Sequence, residues 1–303
     1  MNNVLTLIAD PAAADLDDST VGAARAALKD LGAETGAPDW LAPGIACDIP
    51  FDGLNCDQAD AALHTALPGR PVDLITQPAE GRRKRLLVAD MESTIIRQEM
   101  LDELAELVGL KDLIAGITWR AMNGEIDFKD ALRERVALLK DLPVEALEQV
   151  YGRVELMPGA LALVATMKAN GAYCTLVSGG FKFFTERVRA EVGFDEDQAN
   201  DFEIADGRLS GRAVEPILDK DAKVAALIRV AGAHRIPLRE SIAVGDGAND
   251  LPMLQAAGLG VAFHAKPAVA AQARARVERS DLTALLYAQG YRAEEIQAPR
   301  RTS

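Results

Sequence analysis

The sequence is poor in the residues that build disulfide frameworks and zinc sites. Its 303 residues include only three cysteines and three histidines, and no two cysteines form a CxxC pair. Scattered thiols and imidazoles argue against both kinds of site. Aromatic residues make up only 5% of the chain, although 49% of it is hydrophobic. This aliphatic composition favours helices packed over a sheet more than a β-sandwich.

Long hydrophobic runs and an excess of positive charge are also missing. No stretch approaches the roughly 20 apolar residues that cross a bilayer, and the N-terminus has no basic-then-apolar signal pattern. We therefore expect a soluble, reduced, cytoplasmic protein. The net charge of −13, from 46 acids against 33 bases, argues against binding to nucleic acid or to an anionic membrane. A protein this acidic needs local positive charge or a metal ion to bind an anion.

The first 76 residues predict a small α+β domain of the ferredoxin-like type. The predicted elements, in chain order, are a strand at 4–9, a helix at 19–31, one or two strands at 44–51, a helix at 57–67 and a strand at 71–76. A βαββαβ order is typical of a ferredoxin-like sandwich. The basic segment QPAEGRRKR follows at 77–85. We interpret it as a solvated linker between domains rather than as a binding patch.

The rest of the chain predicts a parallel α/β core interrupted by a helical insertion. A strand at 86–90 is followed by amphipathic helices alone up to about residue 154. Beyond that point apolar strands alternate with helices, which favours a parallel sheet covered on both faces. The segment 202–211 predicts a hairpin. The resulting assignment is 1–76 for the small domain, 77–85 for the linker, 86–98 with 155–303 for the core, and 99–154 for a helical cap.

Polar groups follow three of the predicted core strands. They are Asp90 and Glu92 after the first, Ser178, Gly179 and Gly180 after the second, and Asp246, Asn249 and Asp250 after the third. Each group alone is typical of a turn or a helix cap. Ligands of open parallel sheets, however, bind at the carboxyl ends of the strands. If these strands are neighbours, the three groups form a site.

The chemistry of these groups points to a phosphorylated substrate and Mg²⁺. Four carboxylates at one edge repel one another unless they hold a cation. Oxygen ligands without histidine or thiolate favour Mg²⁺, which also takes a phosphate oxygen. The SGG segment before a predicted helix offers a hydroxyl and backbone N–H groups to an anion. Lys223 can add a fixed cation, although an ordinary exposed helical lysine is an equally good interpretation of this residue.

In their order along the chain, these motifs resemble the phosphoserine phosphatase family of the haloacid dehalogenase superfamily. The motifs are DMEST at 90–94, VSGGF at 177–181, the isolated Lys223 and VGDGAND at 244–250. The cap segment MNGEIDFKDALRERVALLKDL also resembles this family, which narrows the expected substrate to phosphoserine. The resemblance covers nearly all of 86–285. The N-terminal part resembles the ACT-like regulatory domain of longer bacterial members.

The resemblance implies Mg²⁺-dependent hydrolysis of O-phospho-L-serine, the last step of serine biosynthesis. Asp90 would be the nucleophile, Glu92 the general acid and base, and Lys223 a cation on the phosphoryl group. The implied metal ligands are Asp90, the backbone carbonyl at Glu92, Asp246 and Asp250, and the implied substrate contacts are Glu99, Met122, Phe128, Arg135, Ser178, Gly179, Gly180 and Asn249. Glu99 would face the substrate ammonium and Arg135 its carboxylate, since a guanidinium suits a carboxylate bidentately. Without the resemblance, a surface salt bridge would be the preferred interpretation of Arg135.

Glu92 departs from the family pattern, which has aspartate at this position. A misplacement of about 1 Å in a catalytic group can cost roughly 10²-fold in rate. Relatives that transfer phosphate to homoserine also carry glutamate there, so a phosphotransferase or a phosphatase for another small phosphomonoester is the alternative function. A non-enzymatic receiver that keeps phosphate on Asp90 is a further alternative. The N-terminal domain is interpreted as a regulatory or dimerisation module, which predicts a homodimer.

Overall fold

The computed structural model describes residues 1–122 and 125–297. Its N-terminal elements are β1 (Asn3–Ala9), α1 (Asp18–Asp30), β2 (Glu34–Thr35), β3 (Asp39–Ala42), β4 (Ala46–Asp52), α2 (Cys56–Ala66) and β5 (Val72–Pro78). The strands form an antiparallel sheet in the order β2-β4-β1-β5, with β3 beside β4. The ferredoxin-like sandwich predicted from the sequence is thus confirmed. No helix among the described residues has the length and apolar character needed to cross a bilayer.

The two N-terminal helices begin at side chains that satisfy their first free N–H groups. The Asp17 carboxylate accepts a hydrogen bond from the Thr20 N–H at 2.8 Å, and α1 follows. Asn55 and Gln58 form a reciprocal capping box at the start of α2. Such caps stabilise a helix by about 1 kcal/mol. Apolar residues of both helices then pack on the sheet in one buried cluster.

The second part of the chain is a six-stranded sheet between helices. Its elements outside the cap are β6 (Leu86–Ala89), α7 (Ala160–Ala169), β7 (Tyr173–Phe181), α8 (Lys182–Val192), β8 (Glu196–Asn200), β9 (Phe202–Ala205), β10 (Arg208–Ala213), α9 (Lys220–Ala233), β11 (Ser241–Gly245), α10 (Leu251–Ala256), β12 (Leu259–Phe263), α11 (Pro267–Ala270), β13 (Ala275–Val277) and α12 (Ala284–Ala288). The sheet is parallel in the order β13-β12-β11-β6-β7-β8. Because β6 lies between β7 and β11, the three strands with polar ends are neighbours.

The helices between β6 and α7 are α3 (Met100–Leu107), α4 (Lys111–Met122), α5 (Phe128–Ala137) and α6 (Val144–Tyr151). They match the amphipathic helices expected from the sequence. The apolar side of α3 is buried through Met100, Leu101 and Leu104. The Asp127 carboxylate caps α5 by accepting from the Asp130 N–H at 2.9 Å. The predicted hairpin is also present as β9 and β10, and it pairs separately from the main sheet.

The segment 77–85 differs from the predicted solvated linker. Strand β5 continues through Gln77 to Pro78, and the Gln77 amide donates to the Ala288 carbonyl at 2.6 Å. Arg82 forms an ion pair with Asp48 of the N-terminal sheet. Lys84 is only 9% exposed. The basic residues of this segment were predicted to be solvated, but in the fold carboxylates and carbonyls are their partners.

The two sheets share a buried junction. The Asp73 carboxylate of β5 accepts hydrogen bonds from the N–H groups of Glu278 and Ser280, at 2.8 and 2.9 Å. Ile8 and Ile75 belong to the same apolar cluster as Tyr287 near the C-terminal end of the core. Apolar burial and charge-assisted hydrogen bonds therefore join the N-terminal sheet to the α/β core.

Candidate active site

Asp90 lies at the carboxyl end of the central strand β6, where the sequence placed the nucleophile. Its N–H continues the strand pairing by donating to the Val244 carbonyl at 3.0 Å. One carboxylate oxygen accepts from the Met91 N–H at 2.8 Å, and the other lies 2.9 Å from the Lys223 ammonium. The residue is only 6% exposed. Backbone and ammonium together fix the direction of this carboxylate.

Lys223 is a buried cation, and its interpretation as an exposed helical lysine is wrong. It lies in the first turn of α9, which the Asp219 carboxylate caps by accepting from the Asp221 N–H at 3.0 Å. Its ammonium also donates to Asp250 at 2.6 Å. Burial opposes the charge of Lys223, but Asp90 and Asp250 outweigh it and raise the pKa of this ammonium. The three side chains therefore form a buried ionic triad.

Asp250 reaches this position because the last residue of β11, Gly245, has no side chain in its way. A Cβ on Gly245 would lie 2.4 Å from the Asp250 carboxyl carbon, so this close approach requires glycine. The second oxygen of Asp250 accepts from the Gly247 N–H at 2.9 Å. The half-buried Asn249 lies in the same turn, with its amide oxygen against Gly247. The GDGAND motif thus folds back on itself beside β6.

Three carboxylates at this edge form a cluster that fits a divalent cation. Ligand oxygens of Asp90, Asp246 and Asp250 lie within 4.8 Å of one another. Burial, followed by the charge of Asp250, raises the pKa of Asp90 well above its usual range. The same two causes raise the pKa of Asp246 to about 6. Crowded carboxylates of this kind suit a hard cation with oxygen ligands.

The Ser178–Gly180 segment lies beside Asp90 at the end of β7. The strand continues through both glycines to Phe181, and α8 begins at Lys182. The Ser178 hydroxyl oxygen accepts from the Gly180 N–H at 2.9 Å and is buried. Its own O–H stays available to a ligand oxygen. The extended backbone through Gly180 replaces the predicted arrangement in which the glycines close the strand.

Asn200, a residue that the sequence reasoning missed, supports this segment from behind. Its amide nitrogen donates to the Gly179 carbonyl at 2.8 Å, and its amide oxygen accepts from the Leu218 N–H at 2.7 Å. Leu218 directly precedes the N-terminus of α9, which carries Lys223. The side chain is 2% exposed. One buried amide therefore ties the Ser178–Gly180 segment to the lysine helix.

The Glu92 carboxylate spans from the core to the first helix of the cap. One of its oxygens accepts a hydrogen bond from the N–H of Met100, which is the first residue of α3, at 2.9 Å. The carboxylate also lies against Gly180, where an added Cβ would be 2.9 Å from the other oxygen. Burial, followed by the charge of Glu99, raises the pKa of Glu92 well above its usual range. Glu92, which departs from the family pattern, is therefore held between the start of α3 and Gly180.

Ser93 is a second residue that the site list from the sequence lacked. Its backbone lies in the left-handed region, with φ at 54°, which is uncommon outside glycine and is enriched at functional sites. Its hydroxyl donates to the Glu99 carboxylate at 2.7 Å. The DMEST motif contained this signal as a hydroxyl next to the carboxylates. Ser93 therefore orients the Glu99 carboxylate.

Two of the predicted cap residues face the core. The Phe128 ring approaches Gly179, with its Cζ 3.5 Å from where a Cβ would lie. Arg135 donates through Nε to the Ala131 carbonyl at 3.2 Å. Within 1–122 and 125–297, its guanidinium forms no ion pair, so the surface salt bridge is not found. Met122 ends α4, and its side chain lies outside the described part of the chain.

Burial and charge act in opposite directions on Arg135. The pKa of its guanidinium is lowered by burial, and Glu92, Asp102 and Glu99 oppose this effect. The guanidinium thus lies near several acids without pairing with one of them in the described residues. This arrangement leaves its planar fork available to a carboxylate ligand.

Comparison with known proteins assigns the chain to a family. The model of the haloacid dehalogenase-like hydrolases matches residues 87–255, which is more than half of the chain. A phosphoserine phosphatase of Streptomyces coelicolor is 41% identical over 258 residues, covering 84% of this chain and 63% of its own length. The aligned part thus spans less than two thirds of that relative. A phosphoserine phosphatase of a Polaromonas species is 45% identical over 72% of this chain and 95% of its own length.

Solved structures give the same result over the whole fold. A haloacid dehalogenase family hydrolase from Salmonella enterica has a TM-score of 0.83 at 29% identity, covering 94% of this chain and 97% of that one. A probable phosphoserine phosphatase from Vibrio cholerae has a TM-score of 0.78 at 30% identity, covering 97% and 88%. The chain therefore belongs to the haloacid dehalogenase-like hydrolases, and within them to the phosphoserine phosphatase family.

Proposed function

We propose that this chain hydrolyses O-phospho-L-serine to L-serine and phosphate through an aspartyl-phosphate on Asp90. The position of β6 between β7 and β11 carries this proposal, because it gathers Asp90, Ser178 and Asp246 at one sheet edge. The lysine ammonium 2.9 Å from Asp90 supports a role in neutralising an incoming phosphoryl group. The names of the relatives support phosphoserine as the substrate.

Mg²⁺ is the proposed cofactor. Asp90, Asp246 and Asp250 would hold it, with the backbone carbonyl at Glu92 as the further ligand implied by the family. When bound, a divalent cation would offset the negative charge of these carboxylates and of the phosphoryl oxygens. The oxygen-only donor set supports this choice.

In the first step, a carboxylate oxygen of Asp90 forms a bond to phosphorus. The bond between phosphorus and the seryl oxygen breaks, and its electron pair stays on that oxygen. Protonated Glu92 transfers its proton there, so that serine leaves as the neutral alcohol. One Glu92 oxygen is engaged by the Met100 N–H, which leaves the other to carry the proton.

In the second step, water hydrolyses the aspartyl-phosphate. Glu92, now a carboxylate, takes a proton from the water as its oxygen bonds to phosphorus. The bond between phosphorus and the Asp90 oxygen breaks, which regenerates the Asp90 carboxylate and releases phosphate. A carboxylate nucleophile thus divides hydrolysis into two displacements.

The cap and the core would share the recognition of substrate. Ser178, Gly179, Gly180 and Lys223 would hold the phosphoryl oxygens, and Asn249 would line the same pocket. The proposed contacts to the amino-acid part are Arg135 to the carboxylate, Glu99 to the ammonium, and Phe128 and Met122 as the cover. The orientation of Glu99 by Ser93 supports its role.

The deciding experiment is phosphate release from L-phosphoserine, with and without Mg²⁺, beside other phosphomonoesters. We expect a strong, Mg²⁺-dependent preference for phosphoserine and inactivity of Asp90→Asn. Full activity of Asp90→Asn would require another nucleophile. Turnover of phosphoserine only after Glu92→Asp would show that the extra methylene of Glu92 prevents the reaction. A new phosphoester on addition of homoserine would identify a phosphotransferase instead.

We also propose the domain division at 1–76, 86–98 with 155–303, and 99–154. The names of the relatives support a small-molecule substrate. The homodimer, the cytoplasmic location, and the absence of nucleic-acid and membrane partners stay predictions from the sequence.

A further inference from the structure

A cavity separate from the candidate active site lies at the amino ends of the strands of the parallel sheet, whereas Asp90 lies at a carboxyl end. This cavity of about 600 Å³ opens between the N-terminal sheet and the α/β core. Its lining includes Gln77 of β5, Glu240 just before β11, Gly258 just before β12 and Arg274 just before β13. These core residues mark the amino ends of the strands. The cavity is therefore separate from the site of the proposed hydrolysis.

Lys84 supplies a buried positive charge to this cavity. The residue is only 9% exposed, and its ammonium donates to the carbonyls of Gly81 and Arg239, both at 3.0 Å. No carboxylate within the described ranges lies within ion-pairing distance of it. Burying an ammonium against neutral acceptors alone is costly, because buried charges are normally paired. Its third N–H bond is still available as a donor.

A second cation at the cavity rim also lacks a partner. Arg274 is exposed, lines the cavity and forms no ion pair in the part of the chain that the structure describes. Burial first, and then the charge of Arg274, lower the pKa of Lys84, while Glu240 opposes them. Lys84 and Arg274 therefore both contribute positive electrostatic potential to this cavity.

The other charged groups around the cavity do not cancel this pair. Glu240 is bound by Arg85 at 3.0 Å, and Arg83 is bound by Glu295 at 2.7 Å. Glu80 is the remaining acid of the lining, and it is exposed to solvent. In a chain with a net charge of −13, it is notable that two cations on one cavity form no ion pair among the described residues.

We propose that this cavity binds a small oxyanion, through a carboxylate or phosphate group held between Lys84 and Arg274. The ammonium offers a point charge, and the guanidinium offers a planar pair of donors that suits either group. The bound anion would supply the missing counter-charge of Lys84. Since the lining comes from both the N-terminal sheet and the core, binding would also stabilise their junction.

Isothermal titration calorimetry of the whole chain, in a buffer that contains a metal chelator, tests this proposal. The probes are inorganic phosphate and succinate, with chloride at matched ionic strength as the reference. The two probes separate a phosphate source from a carboxylate source. We expect saturable binding of at least one probe, weakened at least about tenfold by Lys84→Met and by Arg274→Gln.

Two control variants locate the binding. Arg276→Gln changes a neighbouring arginine that does not line the cavity, and Ser178→Ala changes the catalytic edge; both should leave the affinity unchanged. Absence of saturable binding in the unaltered protein would overturn the proposal. Loss in Ser178→Ala with retention in Arg274→Gln would also overturn it. Because Arg274 is exposed, its variant decides the matter even if Lys84→Met does not fold.

Discussion

At the scale of single residues, Glu92 is the side chain that most distinguishes this chain. Its extra methylene does not leave the carboxylate without a place, because the Met100 N–H binds one oxygen and Gly180 makes room for the other. The sequence analysis identified Glu92 as a candidate general acid and base. It could not predict the contact with α3, because that contact depends on how the cap docks on the core.

Replacing Glu92 by glutamine should separate the two chemical steps. We expect turnover of phosphoserine to fall roughly 10²-fold or more, because the seryl oxygen leaves without a proton. With p-nitrophenyl phosphate, whose leaving group needs no proton, a burst of about one nitrophenol per enzyme should precede slow turnover. Stopped-flow absorbance measures the burst. Glu106→Gln, which changes an exposed acid of α3, is the control. Equal losses on both substrates without a burst would contradict the role of Glu92.

Binding of Mg²⁺ should weaken as the pH falls through about 6. The folded, metal-free protein raises the pKa of Asp246 to about 6, so below that pH a proton occupies the carboxylate that the cation needs. The stabilisation by Mg²⁺ is therefore expected to be full above pH 7 and to disappear towards pH 5. Thermal unfolding with and without Mg²⁺ measures it. Asp246→Asn should lose the Mg²⁺ effect at both pH values, and a pH-independent effect would refute the assignment.

At the scale of secondary-structure elements, the sequence predicted the core strands and cap helices well. Apolar runs that end in turn residues locate β6, β7 and β11, and the helical periodicity locates the cap. Strand β8 was missed because its sequence, EDQAN, has no apolar alternation. The two-residue strand β2 is too short for any period. Asn200 stands at the end of β8, so its role was missed with the strand.

Asn200→Ala tests whether the amide positions the Ser178–Gly180 segment. Losing its bonds to Gly179 and Leu218 should raise the inhibition constant of inorganic phosphate and the KM of phosphoserine roughly tenfold, because the phosphoryl contacts shift. Steady-state kinetics with phosphate as inhibitor measures both. The control is Asn170→Ala, which removes an exposed amide that donates to the Thr166 carbonyl in α7. Lower thermal stability with an unchanged inhibition constant would make Asn200 merely structural.

At the scale of the whole molecule, the N-terminal sheet is packed on the α/β core rather than tethered to it. The sequence predicted both units but not their junction, because contacts 200 residues apart leave no local pattern. In the sequence, for example, nothing distinguishes Asp73 from any other acidic residue of a strand. In the fold it accepts hydrogen bonds from the backbone around Arg279.

Asp73→Ala should weaken this junction without touching catalysis. The N–H groups of Glu278 and of the buried Ser280 would lose their acceptor, which costs about 3 kcal/mol of unfolding free energy. Urea denaturation followed by circular dichroism measures this loss, and kcat is expected to stay unchanged in the folded enzyme. Asp30→Ala, which changes an exposed acid at the end of α1, is the control. An unchanged unfolding free energy would mean that the junction is held by apolar contacts alone.

The charges around Asp90 also predict the order in which the proposed ligands bind. Five carboxylates face two cations there: Asp90, Glu92, Glu99, Asp246 and Asp250 against Lys223 and Arg135. This excess attracts divalent cations and repels a phosphomonoester dianion. We therefore expect the cation to bind before the proposed substrate.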